Sequence, residues 1–74
     1  MCLLELKKGE NALIDAIHVD EKLKYRLNAL GMRCESKICV KQYGWFKSTV
    51  QVMINRTLIA LRKDEARLIE VHVI

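Results

Sequence analysis

Asp20–Val40, DEKLKYRLNALGMRCESKICV, decides the fold. Leu23, Leu27 and Leu30 recur at i, i+4 and i+7, a spacing that stacks them on one face of a helix and marks them for the core. Asp20 stands where a carboxylate can accept from first-turn amides, and Gly31 where a chain leaves a helix in a left-handed conformation. Beyond the glycine, Ile38 and Val40 alternate with Lys37, Cys39 and Lys41, the period of a strand with one buried face. A short α-helix over about 20–30, a tight connection and a half-buried strand follow. Lys22, Lys24, Tyr25 and Arg26 fall on the rest of the helix surface, solvated by default and available to an acidic partner.

Upstream, residues 2–6 are mostly apolar, with Leu4 and Leu6 on one side of Glu5, and a short strand is expected there. Lys8-Gly9-Glu10-Asn11 carries a turn signal. Ala12, Ile14 and Ile17 look inward, but the step from 14 to 17 breaks strict alternation. A bulge at Asp15-Ala16 restores it and bends the strand, as a small barrel requires.

Downstream, Gly44–Ser48 is a hairpin connection with Trp45 and Phe46 near its tip. Val50, Val52 and Ile54 alternate with Gln51, Met53 and Asn55 in the cleanest strand of the chain. Asn55-Arg56 is the one candidate turn before Thr57–Arg62, and Asn tolerates a positive φ. Lys63–Ala66 forms a single helical turn, after which Ile69, Val71 and Val73 share a face opposite Glu70 and His72. Five to six short strands, one helix, and no proline, repeat or linker predict a mainly β chain. The expected architecture is a small, strongly bent antiparallel barrel, one domain over 1–74.

A chain of 74 residues buries only about 60–65% of its unfolded surface. Its 51% hydrophobic content suffices for that, and 30% charged residues argue for solubility rather than disorder. The net charge of +4 comes from thirteen Lys and Arg interleaved with nine Asp and Glu, which gives no basic arm and only a weak preference for acidic partners. No apolar run approaches the ~18 residues that span a bilayer. MCLLELKKGE lacks the long apolar region and cleavage site of a signal peptide, and Cys2 lacks the upstream segment of a lipoprotein. Three cysteines offer no disulfide framework, so free thiols and a cytoplasmic location are expected.

Catalysis is not expected. A nucleophile needs a His and an orienting group nearby, yet His18 and His72 are the only histidines and no local signature surrounds a cysteine. Gly9, Gly31 and Gly44 stand alone, which excludes phosphate-loop and dinucleotide patterns. Cys2, Cys34, Cys39, His18 and His72 are ligand types suited to zinc or ferrous iron. Their spacing makes no zinc-site pair of pairs, and separate thiols, Cys39 half exposed on a strand and Cys34 in a turn, are the plainer expectation. Pairing of the terminal strands would bring Cys2 near His72, though nothing in the sequence demands that pairing. No cofactor is required, and a transition metal remains open.

Contact surfaces are the sharper question. Trp45 and Phe46 either fold back over the open end of the barrel or form an exposed apolar anchor, the residue type that dominates interfaces. Leu58 and Ala60 lie opposite Ile59 and Leu61; with Met53 they extend an outer apolar patch or lie beneath the helix.

Gly9-Glu10, Arg26-Leu27 with Leu30-Gly31-Met32, Ile38-Cys39-Val40, and Ala60-Leu61-Arg62 with Glu65-Ala66 together resemble the frame of the FeoA family. Those are small SH3-like barrels that assist bacterial ferrous-iron uptake, and the same module ends some metal-dependent repressors. The likeness spans nearly the whole chain, four pieces in order. Three departures all fall in turns: Cys34-Glu35 where the family has Pro-Gly, Arg56 where it has Gly, and Tyr43–Ser48 where it has Pro-x-Gly-x-Pro. The resemblance implies a non-enzymatic accessory protein that acts on the cytoplasmic, GTPase-bearing part of the membrane transporter FeoB without itself entering the membrane. A small barrel can modulate such a partner by binding one of its conformations better than another. The family's link to iron concerns the pathway and supplies no iron ligand here.

Two other functions compete. A nucleic-acid-binding barrel would use the Tyr43–Lys47 hairpin, where Lys41, Tyr43, Trp45, Phe46 and Lys47 combine charge with stacking rings. Only 5% aromatic residues and the absence of a basic stripe weigh against nucleic acid. A stand-alone regulatory domain like that of iron-dependent repressors ranks lower, since no helix-turn-helix precedes it and the chain starts at Met1.

Overall fold

The alternating stretches become five strands: β1 (Asn11–Ile17), β2 (Lys37–Tyr43), β3 (Thr49–Ile54), β4 (Thr57–Arg62) and β5 (Ile69–Val73). The computed structural model describes residues 1–74 and orders the strands β4-β3-β2-β1-β5, each antiparallel to its neighbours in one SH3-like sheet. Helix α1 (Glu21–Ala29) links β1 to β2, and the one-turn α2 (Lys63–Ala66) links β4 to β5.

The helix begins and ends for the expected reasons. Asp20 accepts the Leu23 N–H at 2.8 Å, and Gly31 leaves the last turn at φ +98°. The connection after it is built without glycine. Glu35 carries a φ of +71°, its N–H donates to the Ile14 carbonyl at 2.7 Å, and the Ser36 hydroxyl donates to the Gly31 carbonyl at 3.1 Å. Those bonds hold a non-glycine residue in a left-handed conformation that costs about 1–2 kcal/mol.

The inner faces form one cluster of 17 buried residues, all of them apolar. Ala12, Ile14 and Ile17 point into it from β1, Ile38 and Val40 from β2, Val50, Val52 and Ile54 from β3. The register between β1 and β5 steps from Ile14–Val71 to Ala16–Glu70, which leaves Asp15 as the extra residue of a bulge. That extra residue restores the inward direction of Ile17 opposite Ile69. A second shift, between Val40 and Gln42 on β2, makes Lys41 the unpaired residue there; the sequence carries no signal for it. Asn55 makes the β3–β4 turn at φ +55°.

Three expectations change. Residues 2–6 are not a strand but a 3-10 turn over Leu3–Glu5. The Glu5 carboxylate accepts the Cys2 N–H at 2.7 Å, and a three-residue period buries Leu3 with Leu6, leaving Leu4 half buried. Leu30 is 41% exposed because the helix ends at Ala29; Met32, past the glycine, fills the core in its place. Val73, the last residue of β5 and paired with buried Ala12, is also exposed.

Candidate functional site

The β2–β3 connection is where the chain spends backbone strain. Gly44 N–H donates to Thr49 at 2.9 Å, Lys47 N–H to Gly44 at 3.0 Å, and Ser48 N–H to Trp45 at 2.9 Å, closing a tight loop. Closure at this length forces Phe46 to φ +53° and Lys47 to φ +57°. Two successive non-glycine residues in that region are costly. The consequence is that both rings point away from the barrel: Trp45 is 85% and Phe46 94% exposed. Their centroids lie 6.3 Å apart with planes tilted by 48°. Of the two arrangements the sequence left open, the rings take the exposed one.

Tyr43, at the root of the hairpin, turns inward instead. Its half-buried ring packs against the core, and its hydroxyl donates to the Leu6 carbonyl with the Leu4 carbonyl at 3.3 Å. Burial pushes the phenol pKa above its ordinary 10.0, helped by the charges of Cys2 and Glu10. The phenol therefore stays a donor at neutral pH. Lys47 Nζ sits 4.7 Å over the same ring. At Gly44 a Cβ would meet Thr49 Oγ1 at 2.2 Å, so a side chain there would have to turn the exposed Thr49 hydroxyl aside. The hairpin root is thus pinned while its tip projects two aromatic rings.

The other expected contact residues lie elsewhere. Leu58 is 53% exposed on the outer face of β4, with Ala60 also exposed. Half-buried Met53 pairs with Leu58 across one strand boundary, and Cys39 with Met53 across the next. The patch is open, not beneath the helix. Tyr25, 79% exposed, and Arg26 occupy a separate face on α1, where Tyr25, Asn28, Ala29 and Arg33 line a shallow groove.

The metal-ligand types are not brought together. No group of three or more His, Cys, Asp and Glu side chains converges. His18 Nε2 lies 3.2 Å from Glu70 Oε2, and His72 Nδ1 lies 2.6 Å from Asp15 Oδ1, so each imidazole faces a carboxylate rather than a thiol. The N-terminal segment does reach β5, but in a register that sets Cys2 opposite Glu70 rather than His72, with Val71 N–H donating to the Met1 carbonyl at 2.8 Å. Cys34 is exposed in the turn after α1, and Cys39 is half buried on β2. The arrangement offers exposed apolar surface at the tip and on β4, with the two histidines each held against a carboxylate. Sequence reasoning missed the anchoring role of Tyr43; a tyrosine beside a glycine at a strand end was its only signal.

Comparison with known proteins agrees with this geometry. The FeoA domain matches residues 1–73. A Campylobacter jejuni protein provisionally named Fe(2+) transport protein A is 36% identical over 75 residues, the alignment covering all of both chains. Among solved structures, the FeoA protein from Chlorobium tepidum superposes with a TM-score of 0.95 at 30% identity, over all of this chain and 70% of that one. Iron(II) transport protein A from Clostridium thermocellum gives 0.91 at 32%, over all of this chain and 46% of that one. A manganese-dependent transcriptional repressor gives 0.88 at 19% identity, over all of this chain and 41% of the other. That last likeness shows a shared fold alone.

Proposed function

The chain belongs to the FeoA family, a premise from which we propose that it is a non-enzymatic accessory protein that works by direct contact with a membrane iron transporter. The family's role lies in Fe(2+) transport. The partner in this proposal is the cytoplasmic, GTPase-bearing part of an FeoB-like transporter, met in the cytoplasm. No helix of the chain is long and apolar enough to cross a membrane. The observation that carries the proposal is the Trp45–Phe46 tip, held out by left-handed backbone at Phe46 and Lys47.

Two adjacent exposed aromatic rings are costly to leave in water. Each buries about 150–250 Å² when covered, and interface aromatics of this kind are worth about 2–4 kcal/mol on truncation. Docking also orders less chain than a free loop would require, because the root is already held by the Tyr43 hydroxyl and the Gly44–Thr49 bond. If the tip fits one conformation of the partner better than another, it shifts that equilibrium by the difference in affinity and nothing more. No bound metal is needed for this action.

The test pairs two assays. The purified chain is used to capture the soluble cytoplasmic part of an FeoB-like transporter, beside a single-stranded oligonucleotide titration at low and high salt. Capture with no oligonucleotide binding is expected. Salt-sensitive oligonucleotide binding with no transporter capture contradicts the proposal.

A further inference from the structure

A sheet that does not close has two edges, and this chain treats them differently. The outer edge of β5 is covered: Cys2 bridges to Glu70, and the Met1 carbonyl accepts from Val71. The outer edge of β4 has no such cover. β4 ends the strand order, its register with β3 is regular from Ile54–Thr57 to Thr49–Arg62, and no backbone hydrogen bond joins Thr57–Leu61 to anything beyond that ladder. Native edges are usually blunted by a bulge, a proline or a lysine within the strand. Thr57-Leu58-Ile59-Ala60-Leu61 has none of the three.

The register says which groups are free. A two-residue turn makes Ile54–Thr57 the hydrogen-bonded pair, so by alternation Ile59 and Leu61 also bond to β3. Leu58 and Ala60 then present their N–H and C=O groups outward, and both residues are exposed. We propose that the free edge of β4 accepts an extended segment of a partner protein as a sixth strand, one with an apolar centre and carboxylates at its ends.

Charge chooses the occupant. Arg56 stands at one end of β4 and Arg62 with Lys63 at the other; of the two carboxylates that follow, Glu65 accepts the Arg62 backbone N–H at 3.0 Å and Asp64 lies 3.8 Å from Arg67, so neither pairs with the Arg62 guanidinium. A second copy of this chain is a poor occupant. The two-fold antiparallel register that uses both Leu58 and Ala60 sets Arg56 of one copy opposite Arg62 of the other at both ends, and like charges directly opposite are destabilising. A heterologous strand with acidic ends meets the same arginines favourably, and strand addition of this kind draws its affinity from main-chain bonds. The inference does not depend on the transporter proposal, because the tip and the edge are separate features.

The test uses the full chain, isotope-labelled, and two synthetic seven-residue peptides of alternating Val and Thr, one ended by Glu and one by Lys. Amide exchange at Leu58 and Ala60 is the readout. Saturation with the Glu-ended peptide is expected to slow exchange at those two amides at least ~10-fold, and the Lys-ended peptide to bind at least ~10-fold more weakly. Ala60→Pro, which removes an outward N–H at an edge position, is expected to abolish the effect. Should that variant not fold, the Arg56→Glu/Arg62→Glu double variant keeps every backbone group and is expected to invert the peptide preference. Unchanged exchange with either peptide, equal binding of both, or protection of Leu58 and Ala60 that grows with the concentration of the chain alone would each overturn the proposal.

Discussion

Replacing Tyr43 by Phe tests how the hairpin root is held. The ring stays, so its packing against the core and the Lys47 contact persist. What goes is the hydroxyl that donates to the Leu6 carbonyl, a bond between residues 37 apart in sequence that fastens the N-terminal turn to the end of β2. A neutral hydrogen bond contributes about 0.5–1.5 kcal/mol net, and a carbonyl left short of its partner raises the loss. A total of about 1–2 kcal/mol lowers Tm by about 4–16 °C in a domain of this size. The pH dependence adds a second readout. Burial, with Cys2 and Glu10, raises the folded phenol pKa above 10.0. The unfolded chain therefore releases this proton first. The contribution is complete below pH 10, declines as pH rises above it, and is lost through the raised folded value. Thermal melts of both proteins from pH 7 to 11 are the assay, and their difference should shrink above pH 10. Melting temperatures within 1 °C at pH 7 and parallel profiles above pH 10 would refute the latch.

Two further perturbations address the turns. Glu35→Gly should raise stability by about 0.5–1 kcal/mol, since relief of a left-handed residue outweighs the added freedom of the unfolded chain; a higher urea midpoint at unchanged slope is the check. Gly44→Ala should cost about 0.5–1.5 kcal/mol, because the added methyl forces the Thr49 hydroxyl off its present rotamer. Thr49→Ala should restore much of that loss in a double-mutant cycle, and strict additivity of the two changes would show that the clash is not the cause.

Much of the fold is legible in the sequence because local rules and the core agree. Asp20, the leucine spacing and Gly31 bound one helix by capping chemistry, and the single out-of-step interval from Ile14 to Ile17 requires a bulge at Asp15-Ala16. Cys34-Glu35 is legible as the atypical turn, and Glu35 does take the positive φ there. Residues 2–6 are not legible, because their leucines satisfy both a two-residue and a three-residue period, and the turn is held by the Glu5–Cys2 bond together with contacts from distant Tyr43. Leu30 repeats the helical spacing one residue after the helix has ended. The direction of Trp45 and Phe46 hangs on left-handed angles at Phe46 and Lys47, residue types that give no sign of them. The open edge of β4 is a property of the whole strand order. No periodicity within Thr57–Arg62 distinguishes an edge strand from an inner one.

The central claim, that the projecting tip is the contact for a transporter, is tested most directly by one comparison. The affinity of the cytoplasmic part of an FeoB-like transporter is measured for the unaltered chain and for Trp45→Ala/Phe46→Ala, with Tm recorded for both. The account predicts at least about a 30-fold loss of affinity, equivalent to about 2 kcal/mol, with Tm within about 2 °C, because the exposed rings contribute little to the fold. Equal affinity for both proteins, or a collapse of Tm that places the rings in the core, would contradict it.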